Sequence, residues 1–142
     1  MEKVRLGMIG SRLAAHLHLN NLSKLRGLKV DVVAVASQRI EQAEAFAKKF
    51  TIPHFYDDYR RILERPDVDV VDLCIPTDLH ETFSIQAAEA GKHIICEKPL
   101  TGYFGKERNE EQVGLSVPKE SMLKEALRGC NRVIQAVTRK RV

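Results

Sequence analysis

Apolar positions along this chain follow two periods that take turns. Val4 to Ile9 is a short apolar run entering a glycine turn, and Leu28 to Ala36 is a longer β-branched one; both read as strands. Pro53 to Tyr56 is a brief third, Val68 to Ile75 a fourth and His93 to Cys96 a fifth. Between them the spacing becomes helical. Leu13, Leu17, Leu22 and Leu25 predict a helix over Arg12 to Leu25, stopped by Gly27. Ala43, Phe46, Ala47 and Phe50 predict one over Ile40 to Phe50. Asp57 or Asp58 can cap a helix through Leu63, which Pro66 keeps from continuing. Asp78 can cap another to Ala90, with Gly91 past its end. After a polar, glycine-containing stretch from Thr101 to Val117, expected to form no element, Pro118 opens a last helix. Its stripe is Met122, Leu123, Ala126, Leu127, Cys130, Val133, Ile134 and Val137.

Five short strands alternating with helices imply right-handed crossovers and a parallel sheet covered on both faces. The predicted fold is a doubly wound α/β domain, and 142 residues leave room for one. Hydrophobic residues at 44% and charged ones at 30% exclude global disorder. A net charge of +4 raises nucleic acid as a partner, but the basic residues are interleaved with carboxylates. The dense run Arg139-Lys140-Arg141 suits a helix C-terminus, so no nucleic-acid partner is expected. The N-terminus lacks a secretory h-region and no run reaches the length of a membrane span, so a cytoplasmic location off the membrane is expected. Three cysteines without a C-x-x-C pair argue against a disulfide framework or a metal site. Cys74, Cys96 and Cys130 read as small buried apolar residues.

In a doubly wound sheet, ligands bind beyond the carboxyl ends of the strands. Three stretches fall there. Gly7 to Ala15 (GMIGSRLAA) has the outline of a dinucleotide fingerprint, with Gly10 at the tight turn and Ala15 at the close helix–strand contact. Ser11, Arg12, Leu13 and Ala14 would present the start of the helix to a pyrophosphate. Arg12 stands where the middle glycine belongs; its guanidinium can pair with a phosphate instead. The end of the second strand, Ser37-Gln38-Arg39, lies about 20 residues further on, where a carboxylate would select the ribose of NAD. A hydroxyl, an amide and an arginine suit a 2′-phosphate better, which favours NADP; alternatively Arg39 is a solvated first-turn residue. The third stretch joins Pro76, Thr77 and His80 to Glu97, Lys98 and Pro99. Lys98, just past a strand end, can donate to a substrate hydroxyl or carbonyl. His80 is either a proton-transfer group or a helix-start residue beside the cofactor.

The segments GMIGSRLAAHLHLNNL, VAVASQRIEQAEAFAKKF and PDVDVVDLCIPTDLHETFSIQAAEAGKHIICEKPLT resemble, in order and spacing, the glucose–fructose oxidoreductase/inositol dehydrogenase (Gfo/Idh/MocA) family over residues 4–101. The resemblance implies a Rossmann domain binding NAD or NADP. Hydride would pass between nicotinamide and a carbon bearing a hydroxyl, usually of a sugar or polyol. Lys98 matches the family's lysine at the reacting hydroxyl, and Pro76, Thr77 and His80 fall where the family contacts nicotinamide and ribose. Members with Ser-Arg after the second strand tend towards NADP; here Gln38 separates Ser37 from Arg39.

Family members continue into a sixth strand and a second α/β domain that supplies most of the substrate pocket. This sequence stops where the sixth strand would begin, so that domain is expected to be missing and the chain alone to show little or no turnover. The apolar HIIC strand would then be a sheet edge, inviting a homodimer there with the last helix as a cover. The alternative reading is a non-catalytic nucleotide-binding or regulatory module. The stretch 102–117 is expected to be disordered.

Overall fold

The computed structural model describes residues 3–105 and 113–142. Its strands are β1 (Lys3–Ile9), β2 (Lys29–Ala36), β3 (His54–Tyr56), β4 (Val70–Leu73) and β5 (His93–Cys96). Its helices are α1 (Leu13–Leu22), α2 (Ile40–Phe50), α3 (Arg60–Leu63), α4 (His80–Glu89), α5 (Val113–Ser116) and α6 (Lys119–Lys140). The strands form one parallel sheet in the order β3-β2-β1-β4-β5. The chain winds outward from β1 to β3, then returns to lay β4 against the other side of β1. That reversal opens a crevice beyond the carboxyl ends of β1 and β4, where an open α/β sheet takes its ligand.

Both faces of the sheet are packed. Leu6, Met8, Val35 and Cys74 meet Ala15 and Leu19 of α1 and Phe46 and Ala47 of α2. On the other face, Ile9, Ala34, Ala36, Val71 and Leu73 meet Ile62 of α3 and Ala87 of α4. Gly7 is required because a Cβ there would strike the Ile62 side chain. Lys92, in the turn before β5, is buried and donates to the carbonyls of Arg65 (2.6 Å) and Val68 (2.9 Å), tying that turn to the approach to β4.

The structure corrects several boundaries and faces. Helix α1 ends at Leu22, short of Leu25, and buries Ala15 and Leu19. Leu13, Leu17 and Leu25, read as its core stripe, are exposed. Small Ala15 permits the close approach to the sheet that a leucine would prevent. Strand β4 is shorter than Val68 to Ile75, and a 3-10 turn at Thr77–Leu79 precedes α4. The last helix faces inward through Gly129, Val133 and Ala136, which pack it chiefly on α4. Leu123, Leu127 and Ile134 of the predicted stripe are exposed, because a helix lying on another helix buries a narrower strip than one lying on a sheet. One turn of helix, α5, forms inside the stretch read as lacking an element. The disorder expected over 102–117 falls partly on 106–112, outside the described residues; 102–105 and 113–117 are placed. Cys74 is buried, but Cys96 and Cys130 are only half-buried.

Candidate functional site

The turn from β1 into α1 is dictated by Gly10. Its φ of +107° is a conformation that L side chains rarely adopt, and a Cβ there would run into the Cys74 carbonyl. Backbone hydrogen bonds from Gly10 N–H to Ala36 O (2.8 Å) and from Cys74 N–H to Ile9 O (2.8 Å) lock the ends of β1, β2 and β4 together. Helix α1 then starts with Arg12 as its N-cap, and no side chain caps it. Its first turn contains no acidic residue, so unsatisfied N–H groups and the positive end of the helix dipole meet the crevice.

A cleft of about 180 Å³ lies at this turn. Gly10, Ser11, Arg12, Ser37, Gln38 and Pro76 line it, as expected, together with Gln42, Asp57, Tyr59, Leu79 and Phe83, which the sequence reading did not assign to the site. The Ser11 hydroxyl donates to Ser37 Oγ at 3.0 Å, and Ser37 reaches Gln42 at 3.4 Å, bridging the two strand ends with groups free to re-aim toward a ribose or phosphate.

Other expected site residues lie apart from the cleft lining. Leu13 is exposed, and Ala14 packs against the core, which leaves only their backbone N–H groups to offer a ligand. Arg39 is a solvated first-turn residue, its side chain 70% exposed and 3.7 Å from Glu41. His80 is buried: Nδ1 lies 2.8 Å from Pro99 O and Nε2 3.2 Å from Ile75 O. The ring therefore clamps the loops after β4 and β5 together and presents no nitrogen to the cleft. Thr77 opens the 3-10 turn beside it. Lys98 is exposed on the β5 loop, its backbone N–H donating to Glu97 Oε2 at 3.2 Å.

The structure also assembles a group that sequence reasoning missed. His18, on α1, places Nδ1 2.8 Å from Asp72 Oδ2 and Nε2 3.0 Å from Glu97 Oε1. Both ring nitrogens lie within hydrogen-bond distance of carboxylate oxygens, an arrangement that favours the protonated ring. Burial pulls its pKa down, but the hydrogen bonds to Asp72 and Glu97 outweigh that and hold it above the ordinary range. Asp72 is almost fully buried, which pushes its carboxyl upward, and the facing His18 only partly offsets this. Glu97, more open, is held below its usual range, chiefly by His18. Cys74 completes the cluster; burial drives its thiol well above the usual range. One signal was available in the sequence: a carboxylate, Asp72, inside an apolar strand needs a partner. The partner itself, 54 residues away in sequence, is given only by the fold.

Residues 4–109 match the family model described as an oxidoreductase family with an NAD-binding Rossmann fold, GFO_IDH_MocA. An uncharacterised oxidoreductase of Rhizobium meliloti is 41% identical over 101 residues, 70% of this chain and 30% of that protein. Levoglucosan dehydrogenase, solved in complex with NADH and L-sorbose, superposes with a TM-score of 0.65 at 34% identity, over 70% of this chain and 28% of that one. A 3-ketoreductase from Actinomadura kijaniata, solved with NADP and TDP-benzene, superposes with a TM-score of 0.64 at 35% identity, over 69% of this chain and 30% of that one. The chain thus spans about a third or less of the length of each of these relatives. By its matching residues and its five-stranded parallel sheet, this chain belongs to the Gfo/Idh/MocA oxidoreductase family, whose NAD-binding Rossmann fold it carries.

Proposed function

We propose that the crevice at β1 and β4 binds a nicotinamide dinucleotide, NADP ahead of NAD, and that the chain is the cofactor-binding part of an oxidoreductase acting on a sugar or polyol hydroxyl. The observation that carries this reading is the Gly10 turn feeding an uncapped helix. The turn brings backbone within reach of a pyrophosphate where any larger residue would collide with Cys74, and the helix offers free N–H donors. Both features fit the cofactor, whose nicotinamide ring supplies the hydride chemistry when bound.

The chain's own residues divide the remaining tasks. Ser11, Arg12 and the backbone N–H groups of Leu13 and Ala14 hold the pyrophosphate. Arg12 replaces close backbone approach with a charge on the rim. Ser37 and Gln38 take the adenosine ribose; no carboxylate stands at the end of β2 itself, and the exposed Arg39, beside Glu41, can turn toward a 2′-phosphate. Pro76 and Thr77 border the nicotinamide side, while His80 fixes the loop on which Lys98 stands. Lys98 is the proton-transfer group for the reacting hydroxyl. Its exposure means that a second protein surface must desolvate it and hold substrate in a reactive geometry. The chain alone therefore turns over little or no polyol. NADPH titrated against this chain should bind more tightly than NADH, and Arg39→Ala should narrow the gap; equal or tighter NADH binding contradicts the NADP preference. Robust polyol oxidation by the isolated chain contradicts the division of labour.

A second reading, a nucleotide-binding module without chemistry, is favoured by the same exposure of Lys98. Turnover on adding a separately produced family substrate domain decides against it. The outer edge of β5, unpaired among the described residues, is the surface proposed for a homodimer, and light scattering showing only monomer at high concentration would exclude that.

A further inference from the structure

We propose that His18 Nδ1, Asp72 Oδ1 and Cys74 Sγ form a three-ligand site for a divalent cation of the zinc type, with Glu97 orienting the histidine from behind. The three atoms stand 3.0 Å (His18–Asp72), 3.5 Å (His18–Cys74) and 3.6 Å (Cys74–Asp72) apart. An ion with tetrahedral bonds of about 2.0–2.3 Å separates its ligands by roughly 3.3–3.6 Å, so a small adjustment seats it. An imidazole nitrogen, a carboxylate oxygen and a thiolate are the donor set for a borderline-soft divalent ion, and not for magnesium or calcium.

Glu97 adds an independent feature. It accepts from Nε2 at 3.0 Å, and metal-bound histidines typically donate their second N–H to a carboxylate in this way. Charge also balances. Neutral imidazole, carboxylate and thiolate as ligands set two negative charges against the ion's two positive ones. Asp72 and Cys74 are almost wholly buried, so two of the three ligands are largely withheld from bulk water. Cys74 also lines the nucleotide cleft, which leaves the fourth position to water or to a group entering there. The ion would cross-link α1 to the end of β4 and, through Glu97, steady the loop carrying Lys98. The site was invisible in sequence because His18 lies 54 residues from Asp72 and the three ligands have no zinc-like spacing.

The test uses the full chain without an affinity tag, reduced, stripped by a chelator and titrated with cobalt(II). The expected result is a single bound equivalent with intense visible bands of tetrahedral cobalt and a near-ultraviolet thiolate-to-cobalt charge-transfer band, both bleached by zinc. Cys74→Ser should abolish the charge-transfer band, whereas Cys96→Ser with Cys130→Ser should retain it. Glu97→Gln, at a more open position, should weaken cobalt binding 10–100-fold while leaving the far-ultraviolet dichroism unchanged. This variant decides the matter should Cys74→Ser fold poorly. A pale octahedral spectrum without charge transfer, a band that survives Cys74→Ser, or cobalt affinity unchanged in Glu97→Gln would each overturn the site.

Discussion

On one side of β1, β2 pairs along the whole strand from Lys3 to Ile9, and α2 closes over it with Ala43, Phe46 and Ala47 buried. On the other side, among the described residues, β5 pairs only with the short β4, and Ile95 stands open. There α6, the longest helix described, rests on α4 and leaves Leu123, Leu127 and Ile134 in solvent. The two flanks share one sheet and one hydrophobic pattern, and both bury apolar residues, but the second buries them less completely along α6. The first flank carries the glycine turn and shares the nucleotide cleft with the segment after β4. The second leaves apolar surface exposed. Pattern alone thus marks a residue as apolar-facing without saying whether this chain or another covers it.

Substitutions at matched aliphatic positions measure that contrast. Ile62→Ala, in the closed part of the core where the side chain is fully buried, should cost about 2–5 kcal/mol in urea unfolding. A cost below about 1 kcal/mol would mean that this core is loosely packed. Gly10→Ala should cost about 1–3 kcal/mol from its positive φ, with further loss from the collision at Cys74, and should abolish dinucleotide binding even where the variant folds. Wild-type affinity in that variant would separate the turn from the site.

A smaller effect concerns the Arg5–Asp69 pair, which ties the start of β1 to the residue before β4. Arg5 holds the Asp69 carboxyl at about 2, below its usual range, through side-chain and backbone hydrogen bonds. The unfolded chain binds that proton at higher pH than the folded one. The pair's contribution is therefore complete above about pH 4 and is lost as pH falls toward 2. Acid unfolding monitored by dichroism should show Asp69→Asn to be less stable at neutral pH, with the difference closing in acid; a pH-independent difference contradicts this assignment. Smallest of all, Ile134→Ser should stay within about 0.5 kcal/mol of wild type. A large destabilisation there would show that the open flank is buried in the chain's own assembly.

The fold was legible because its strands are short β-branched runs separated by helical spacing, and the topology rules leave few ways to join them. What misled was amphipathicity at α1 and α6. Leu13, Leu17, Leu123 and Leu127 have helical spacing, but sheet contact at α1 falls to the small Ala15 and to Leu19, and helix contact at α6 centres on Gly129. The glycine turn, the serines and the EKP segment were readable as local motifs. The His18–Asp72–Glu97 chain was not, since no local pattern links a helix residue to two strand ends. His80 shows the converse. Its position in the sequence points to the cofactor, while its two carbonyl partners make it a clamp between loops.

We propose that the Gly10 turn and the α1 N-terminus suffice for a dinucleotide site on this chain alone. Fluorescence titration of the chain with NADPH, run beside Gly10→Ala, tests it most directly. The account predicts saturable NADPH binding in wild type and none in the variant. Absence of binding in the wild-type chain, or equal binding in both, would contradict it.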